Sequence, residues 1–227
     1  MKRLLGVGAV IGAALLPMAA NATLIYDNWD TNEGSSGNYI LTVDHRIATN
    51  QFDLNFTVSP WNAEGLGLFI DLGDFDLTGP VGLTNVAPVN EVTLFATDTA
   101  SNSCGPGCNL NGLNPTLLQP DDEWELVFRL ASQGFDNIQT FSFSINDLGL
   151  TESAFGMVGI RAQQLCSGNA LLPDGACGGS DKSIGTPRTP EPDPDPDPDP
   201  NPVPAPQTLL MFALGLFTLA WFRRRAV

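Results

Sequence analysis

The chain has 227 residues, and its 25 Asp and Glu outnumber its 10 Lys and Arg, giving a formal charge of -15 with a single histidine. That balance argues against a nucleic-acid partner, because phosphate recognition needs a basic surface. One imidazole, His45, is also too few for a histidine-built zinc site.

At the N-terminus, Lys2 and Arg3 precede an apolar segment from Leu4 to Leu16, followed by Pro17 and the triplet Ala20-Asn21-Ala22. This order describes a secretory signal peptide over residues 1–22. Small side chains at Ala20 and Ala22 suit the narrow pockets of a signal peptidase, so cleavage is expected after Ala22. The apolar segment is short and breaks at Pro17, which argues against a retained membrane helix.

From Thr23 to about Pro187 the length suits one domain with its own core. Its hydrophobicity has period two, the mark of a half-buried strand. Phe52, Leu54, Phe56 and Val58 share one face while Asp53, Asn55 and Thr57 take the other, and Pro60 ends the run. Tyr39 to Val43 is expected as its partner strand, with Leu66 to Asp71 and Glu91 to Ala96 as further strands. In Glu123 to Leu130, Trp124, Leu126, Phe128 and Leu130 alternate with Glu123, Glu125, Val127 and Arg129. Phe141, Phe143 and Ile145 continue the pattern opposite Ser142 and Ser144, and Val158, Ile160 and Ala162 form the last apolar set. Seven or more short strands between Gly, Pro, Asn and Asp clusters predict an all-β fold, an antiparallel β-sandwich or jelly-roll-like domain.

The region Thr97 to Pro120, rich in Ser, Asn, Gly and Pro, reads as a long loop. Cys104, Cys108, Cys166 and Cys177 lie in the exported part, where disulfides persist. Two local bridges, Cys104 to Cys108 and Cys166 to Cys177, are the preferred pairing, although four cysteines permit three connectivities.

Chemistry is sparsely marked. Asp71, Asp74 and Asp76 form the densest acidic cluster, which reads by default as a solvated turn after a strand and could alternatively converge on calcium. Asp121-Asp122-Glu123 reads as a guard on a sheet edge. A Ser-His-Asp hydrolase would depend on His45, and no G-x-S-x-G elbow accompanies it. His45 reads more simply as a surface residue at a strand end. Trp29, Trp61 and Trp124 could offer sugar-stacking faces, and Trp61, beside Pro60 in a turn, is the best placed. Glycoside hydrolysis needs only two opposed carboxylates, and nothing marks a particular pair.

After Gly185 the composition changes to Pro187, Pro190 and a run of Pro-Asp repeats. Residues 188–202 are therefore expected as an extended spacer, reaching roughly 3 Å per residue. The tail, residues 203–227, carries Val203-Pro204-Ala205-Pro206, an uncharged apolar run over 207–222, and Arg223, Arg224 and Arg225. As a helix the run would span about 24 Å at about 1.5 Å per residue, and the arginines favour a cytoplasmic C-terminus. This order of parts resembles the PEP-CTERM sorting signal, with Ala205 where the commoner motif has glutamate. The resemblance implies that an exosortase removes the helix, that the inner membrane is a transient tether, and that the protein ends at the cell surface or in the extracellular matrix. The leading expectation is a non-enzymatic surface or matrix protein with extracellular polysaccharide as a candidate partner. The alternatives are a carbohydrate-binding sandwich, calcium-dependent or not, and a glycan-degrading enzyme.

Overall fold

The structure is a computed structural model that describes residues 23–31, 35–113, 123–166 and 177–188. The chain divides into the units Met1–Pro190 and Glu191–Val227, and every described residue belongs to the first. The signal peptide, most of the spacer, the apolar run and the sorting motif lie outside the described residues.

Among the described residues there are eleven strands: β1 (Thr23–Tyr26), β2 (Trp29–Thr31), β3 (Tyr39–Arg46), β4 (Gln51–Val58), β5 (Glu64–Ile70), β6 (Leu83–Ala87), β7 (Val92–Thr99), β8 (Trp124–Leu130), β9 (Thr140–Asn146), β10 (Val158–Leu165) and β11 (Gly179–Gly185). They form two antiparallel sheets in a sandwich-like arrangement. The first has the order β1-β3-β4-β9-β6 and the second β2-β11-β10-β5-β8-β7. Register is fixed where apolar residues face inward: Leu54 pairs with Val43 on one side and Phe143 on the other, and Phe56 with Leu41 and Phe141. Slipping either strand by one residue would turn that whole set to water.

The main core lies between the sheets. Leu41, Val43, Phe52, Phe56 and Phe141 from the first sheet meet Leu68, Ile70, Leu126, Phe128 and Ile160 from the second, all fully buried. Phe128 and Phe143 are in ring contact at 4.7 Å between centroids. Burying side chains of this size contributes roughly 1.5–3 kcal/mol each before chain entropy is counted.

A second core covers the other face of the second sheet. Leu66, Phe69, Trp124, Val127 and Ile184 pack beneath Cys104, Cys108, Leu110 and Leu113 of the loop that follows β7. Cys104 is bridged to Cys108, and Cys166 to Cys177. The loop is held down by polar contacts as well. The Trp124 indole N–H donates to Asn102 at 2.9 Å, Lys182 Nζ to the Asn111 carbonyl at 2.7 Å, and Arg129 Nη1 to the Pro106 carbonyl at 3.2 Å. Gly67 and Gly159 make the floor flat enough for this. A Cβ at Gly67 would collide with both sulfurs of the Cys104–Cys108 bridge, and one at Gly159 with Leu110. Gly67→Ala should therefore lift the loop and destabilise the domain by about 1–3 kcal/mol, the usual cost of overpacking. Urea unfolding measures it, and an unchanged midpoint would contradict the close approach.

This second core explains where period-two reading misled. Val127 and Glu125, expected on a solvated face, are buried, and Trp124 packs under the loop with Phe69 at 5.5 Å instead of with Leu126 and Phe128. A strand covered on both faces loses its alternation. β1, β2, β6 and β11 were not expected. The first three are short, and β11 buries Asp181 and Ser183 where a strand reading looks for apolar side chains. Arg188, assigned from sequence to the spacer, belongs to the domain: its backbone exchanges two 2.9 Å hydrogen bonds with Ile25, and its guanidinium pairs with Asp27.

Candidate functional site

The acidic cluster Asp71, Asp74 and Asp76, read as a turn that could converge on calcium, does not form as a group. Asp71 is fully buried, and its carboxylate accepts the amides of Gly73 at 2.7 Å and Met157 at 3.2 Å. It closes the turn after β5 by joining that turn to the start of β10. Asp74 and Asp76 are exposed and instead line a pocket of about 230 Å³ with Phe75, Asp98, Glu123 and Glu125. Glu125 accepts the Leu72 amide and Asp98 the Leu77 amide. Among the described residues, no group of three or more His, Cys, Asp or Glu is arranged to hold a metal ion.

Trp61 is half-buried and stacks on Phe135 at 6.0 Å with an interplanar angle of 17°. The Phe135 ring thus occupies one indole face. Trp29 is spent on structure, donating its indole N–H to the Tyr39 carbonyl at 2.8 Å.

His45 is 7% exposed, not a surface residue. It stacks on Phe52 at 4.4 Å, with Nδ1 3.3 Å from Glu152 and Nε2 3.6 Å from Asp147. A Ser-His-Asp triad needs one ring nitrogen turned to a hydroxyl, and here both face carboxylates.

Near Trp61, Glu64 is 1% exposed. Its Oε1 accepts the amides of Asp136 at 3.2 Å and Asn137 at 3.0 Å, while buried Oε2 has no partner. Burial first, then the Asp136 charge, pushes the Glu64 carboxyl above its ordinary value of 4.5 against those amides, and burial likewise raises Asp136. A carboxyl with a raised folded pKa favours folding fully below its unfolded pKa, and that contribution is lost as pH rises through the folded value. The thermal midpoint should therefore fall as pH climbs above 4.5. Glu64→Gln should flatten this slope, and parallel pH profiles for the two proteins would contradict the assignment.

The first sheet presents a polar outer face. From β4, Asp53 and Asn55 point away from the core, joined by Ser142 and Ser144 from β9, Arg46 from β3 and Asn85 from β6. Together they line a groove of about 430 Å³ that Thr42 and Asp44 extend. Arg46 Nε pairs with Asp53 Oδ2 at 2.8 Å, Ser144 Oγ donates to Asp53 Oδ1 at 2.7 Å, and Asn85 Nδ2 donates to Ser144 Oγ at 3.0 Å. The β6–β9 register breaks between Thr84 and Ala87, and Asn85 within the break has φ 53°. Bulges of this kind re-aim a side chain. No direct signal for this site is legible in the sequence: its residues are the polar halves of alternating strands, and only the order β3-β4-β9-β6 brings them together.

No curated protein and no solved structure matched the chain. Residues 202–225, which include Val203–Pro206 and Arg223–Arg225, match the PEP-CTERM protein-sorting motif. The chain therefore carries a PEP-CTERM sorting signal at its C-terminus, which implies export and processing by an exosortase.

Proposed function

We propose that this chain is a non-enzymatic surface or extracellular-matrix protein, delivered by its sorting signal and working through its β-sandwich domain. The observation that carries the reading is the PEP-CTERM motif over residues 202–225. The domain suits an exposed position: two disulfides tie its loops, and a disulfide-closed flap shields apolar surface that would otherwise face solvent. Epitope-tagged protein should be recovered from the surface or matrix fraction of the host, and deletion of residues 202–225 should abolish that recovery. Equal surface recovery of the truncated chain would contradict the reading.

A carbohydrate-binding sandwich is the second reading. It is favoured by the polar groove on the first sheet, whose donors and acceptors are already fixed by their own hydrogen bonds. Trp61 offers less toward this role than its place in the sequence promised, since Phe135 stacks on it.

A further inference from the structure

We propose that the groove on the outer face of the first sheet is a binding site for a neutral saccharide unit, with Asn55, Asn85, Asp53 and Ser142 as its main polar contacts. The inference deepens the carbohydrate-binding reading and rests on it. Three features point the same way.

The first is preorganisation. Asp53 sits at the centre of the groove, and both its oxygens are held, Oδ1 by Ser144 and Oδ2 by Arg46. Ser144 is itself fixed by the Asn85 amide. Side chains locked in this way lose little freedom when a ligand arrives, which lowers the cost of binding. Each carboxylate or amide oxygen still has acceptor capacity after one such bond, so the chain of contacts leaves positions for incoming hydroxyls.

The second is backbone geometry. Asn85 holds a left-handed conformation, which asparagine adopts more readily than other non-glycine residues, at a break in the β6–β9 ladder. Its amide nitrogen reaches Ser144 from there. The break turns the Asn85 side chain toward the groove, as irregularities of a ladder re-aim side chains.

The third is chemistry and size. The groove's outward side chains mix hydroxyls, carboxamides and carboxylates with one guanidinium that is already paired. Such a set offers donors and acceptors in short alternation, as vicinal sugar hydroxyls require. Its volume of about 430 Å³ falls within the range of small-ligand sites. Charge selects among glycans: Asp44 and Asp53 outnumber Arg46 locally and the chain carries -15, so a polyuronate would be repelled while a neutral glycan would not. The other sheet offers a contrast, because its outer face is packed under the Cys104–Cys108 loop.

The test is affinity electrophoresis of the full-length chain in a polyoxyethylene detergent, through native gels cast with soluble β-glucan, mannan or polygalacturonate. At least one neutral polymer should retard the protein, and polygalacturonate should not. Asn55→Ala removes an exposed amide, and Asn85→Gly keeps the left-handed backbone while deleting the side chain. Each should weaken retardation about five- to ten-fold, the effect of losing one or two hydrogen bonds, whereas Thr93→Ala on the second sheet should change nothing. Retardation that survives both groove variants but is lost in Trp61→Ala would overturn the groove and keep the carbohydrate reading. Absence of retardation by either neutral polymer would overturn both, and equal retardation by polygalacturonate would overturn the selection for neutral glycans.

Discussion

Asp181→Ala should destabilise the domain by on the order of 4 kcal/mol, whereas Asp181→Asn should cost far less. Asp181 is fully buried in β11 and accepts four hydrogen bonds: Oδ1 from the Thr31 hydroxyl at 2.7 Å, and Oδ2 from the Tyr39 hydroxyl at 2.9 Å, the Ser183 hydroxyl at 2.7 Å and the Gly37 amide at 3.2 Å. These partners come from β2, β3, β11 and the stretch before β3, so one carboxylate ties the two sheets together at their β2 and β3 side. Truncation strands several buried donors at once, each costing roughly 1–3 kcal/mol unless water enters. Asparagine avoids this. Its oxygen can take the place of Oδ2 with three donors, and its amide can donate to Thr31 Oγ1, whose own proton is then free for the Lys182 carbonyl 3.0 Å away. Burial, and then the Asp181 charge beside it, holds the Tyr39 hydroxyl well above the ordinary tyrosine value, so the phenol remains a donor across the working pH range. Urea unfolding of the two variants decides the matter. An Ala variant within about 1 kcal/mol of the parent, or an Asn variant as damaged as Ala, would show that the network does not hold the sheets.

The all-β class was legible in the sequence because β3, β4, β9 and β10 each carry enough alternating apolar residues to declare a face. The local pairing of cysteines was legible for a similar reason, since short separations make short loops. What periodicity could not show was a strand stabilised by something other than apolar contact. β11 reads Gly-Ser-Asp-Lys-Ser-Ile-Gly, and its inward positions are filled by the Asp181 and Ser183 hydrogen bonds. Nor could it show the second core, whose two halves, β8 and the residue 100–113 loop, look like an ordinary strand and an ordinary loop until Gly67 and Gly159 let them touch. Asp71 illustrates the same limit at the candidate calcium cluster. Three aspartates within six positions look equivalent in sequence, yet the turn after β5 draws one into its own hydrogen bonding and leaves two outside. The groove needed the strand order, which no single segment contains.

Mass spectrometry of the surface or secreted form should show a C-terminus within or just after Val203–Pro206, with the apolar run and Arg223–Arg225 gone. The motif match over residues 202–225 implies an exosortase, and the cut is expected at the prolines that precede the apolar run. A permanent anchor needs an apolar span and a basic stop but has no use for a V-P-x-P element at the membrane boundary. Proline lacks the amide proton and resists helical continuation, so Pro204 and Pro206 favour an extended stretch of the kind a protease cleft accepts. Among the described residues the last strand contact is made by Arg188, whose backbone pairs with Ile25, and the sequence beyond it, residues 189–202, is expected to act as the spacer. At roughly 3 Å per residue in an extended proline-rich chain, they can cover on the order of 40 Å. Replacing Pro204 and Pro206 by alanine should leave the full-length chain in the inner-membrane fraction, and shortening the spacer should slow processing without changing the cut. Recovery of intact Val227 in the surface fraction would refute cleavage. The tail would then be a simple membrane anchor, and the domain would have to act at the membrane that holds it.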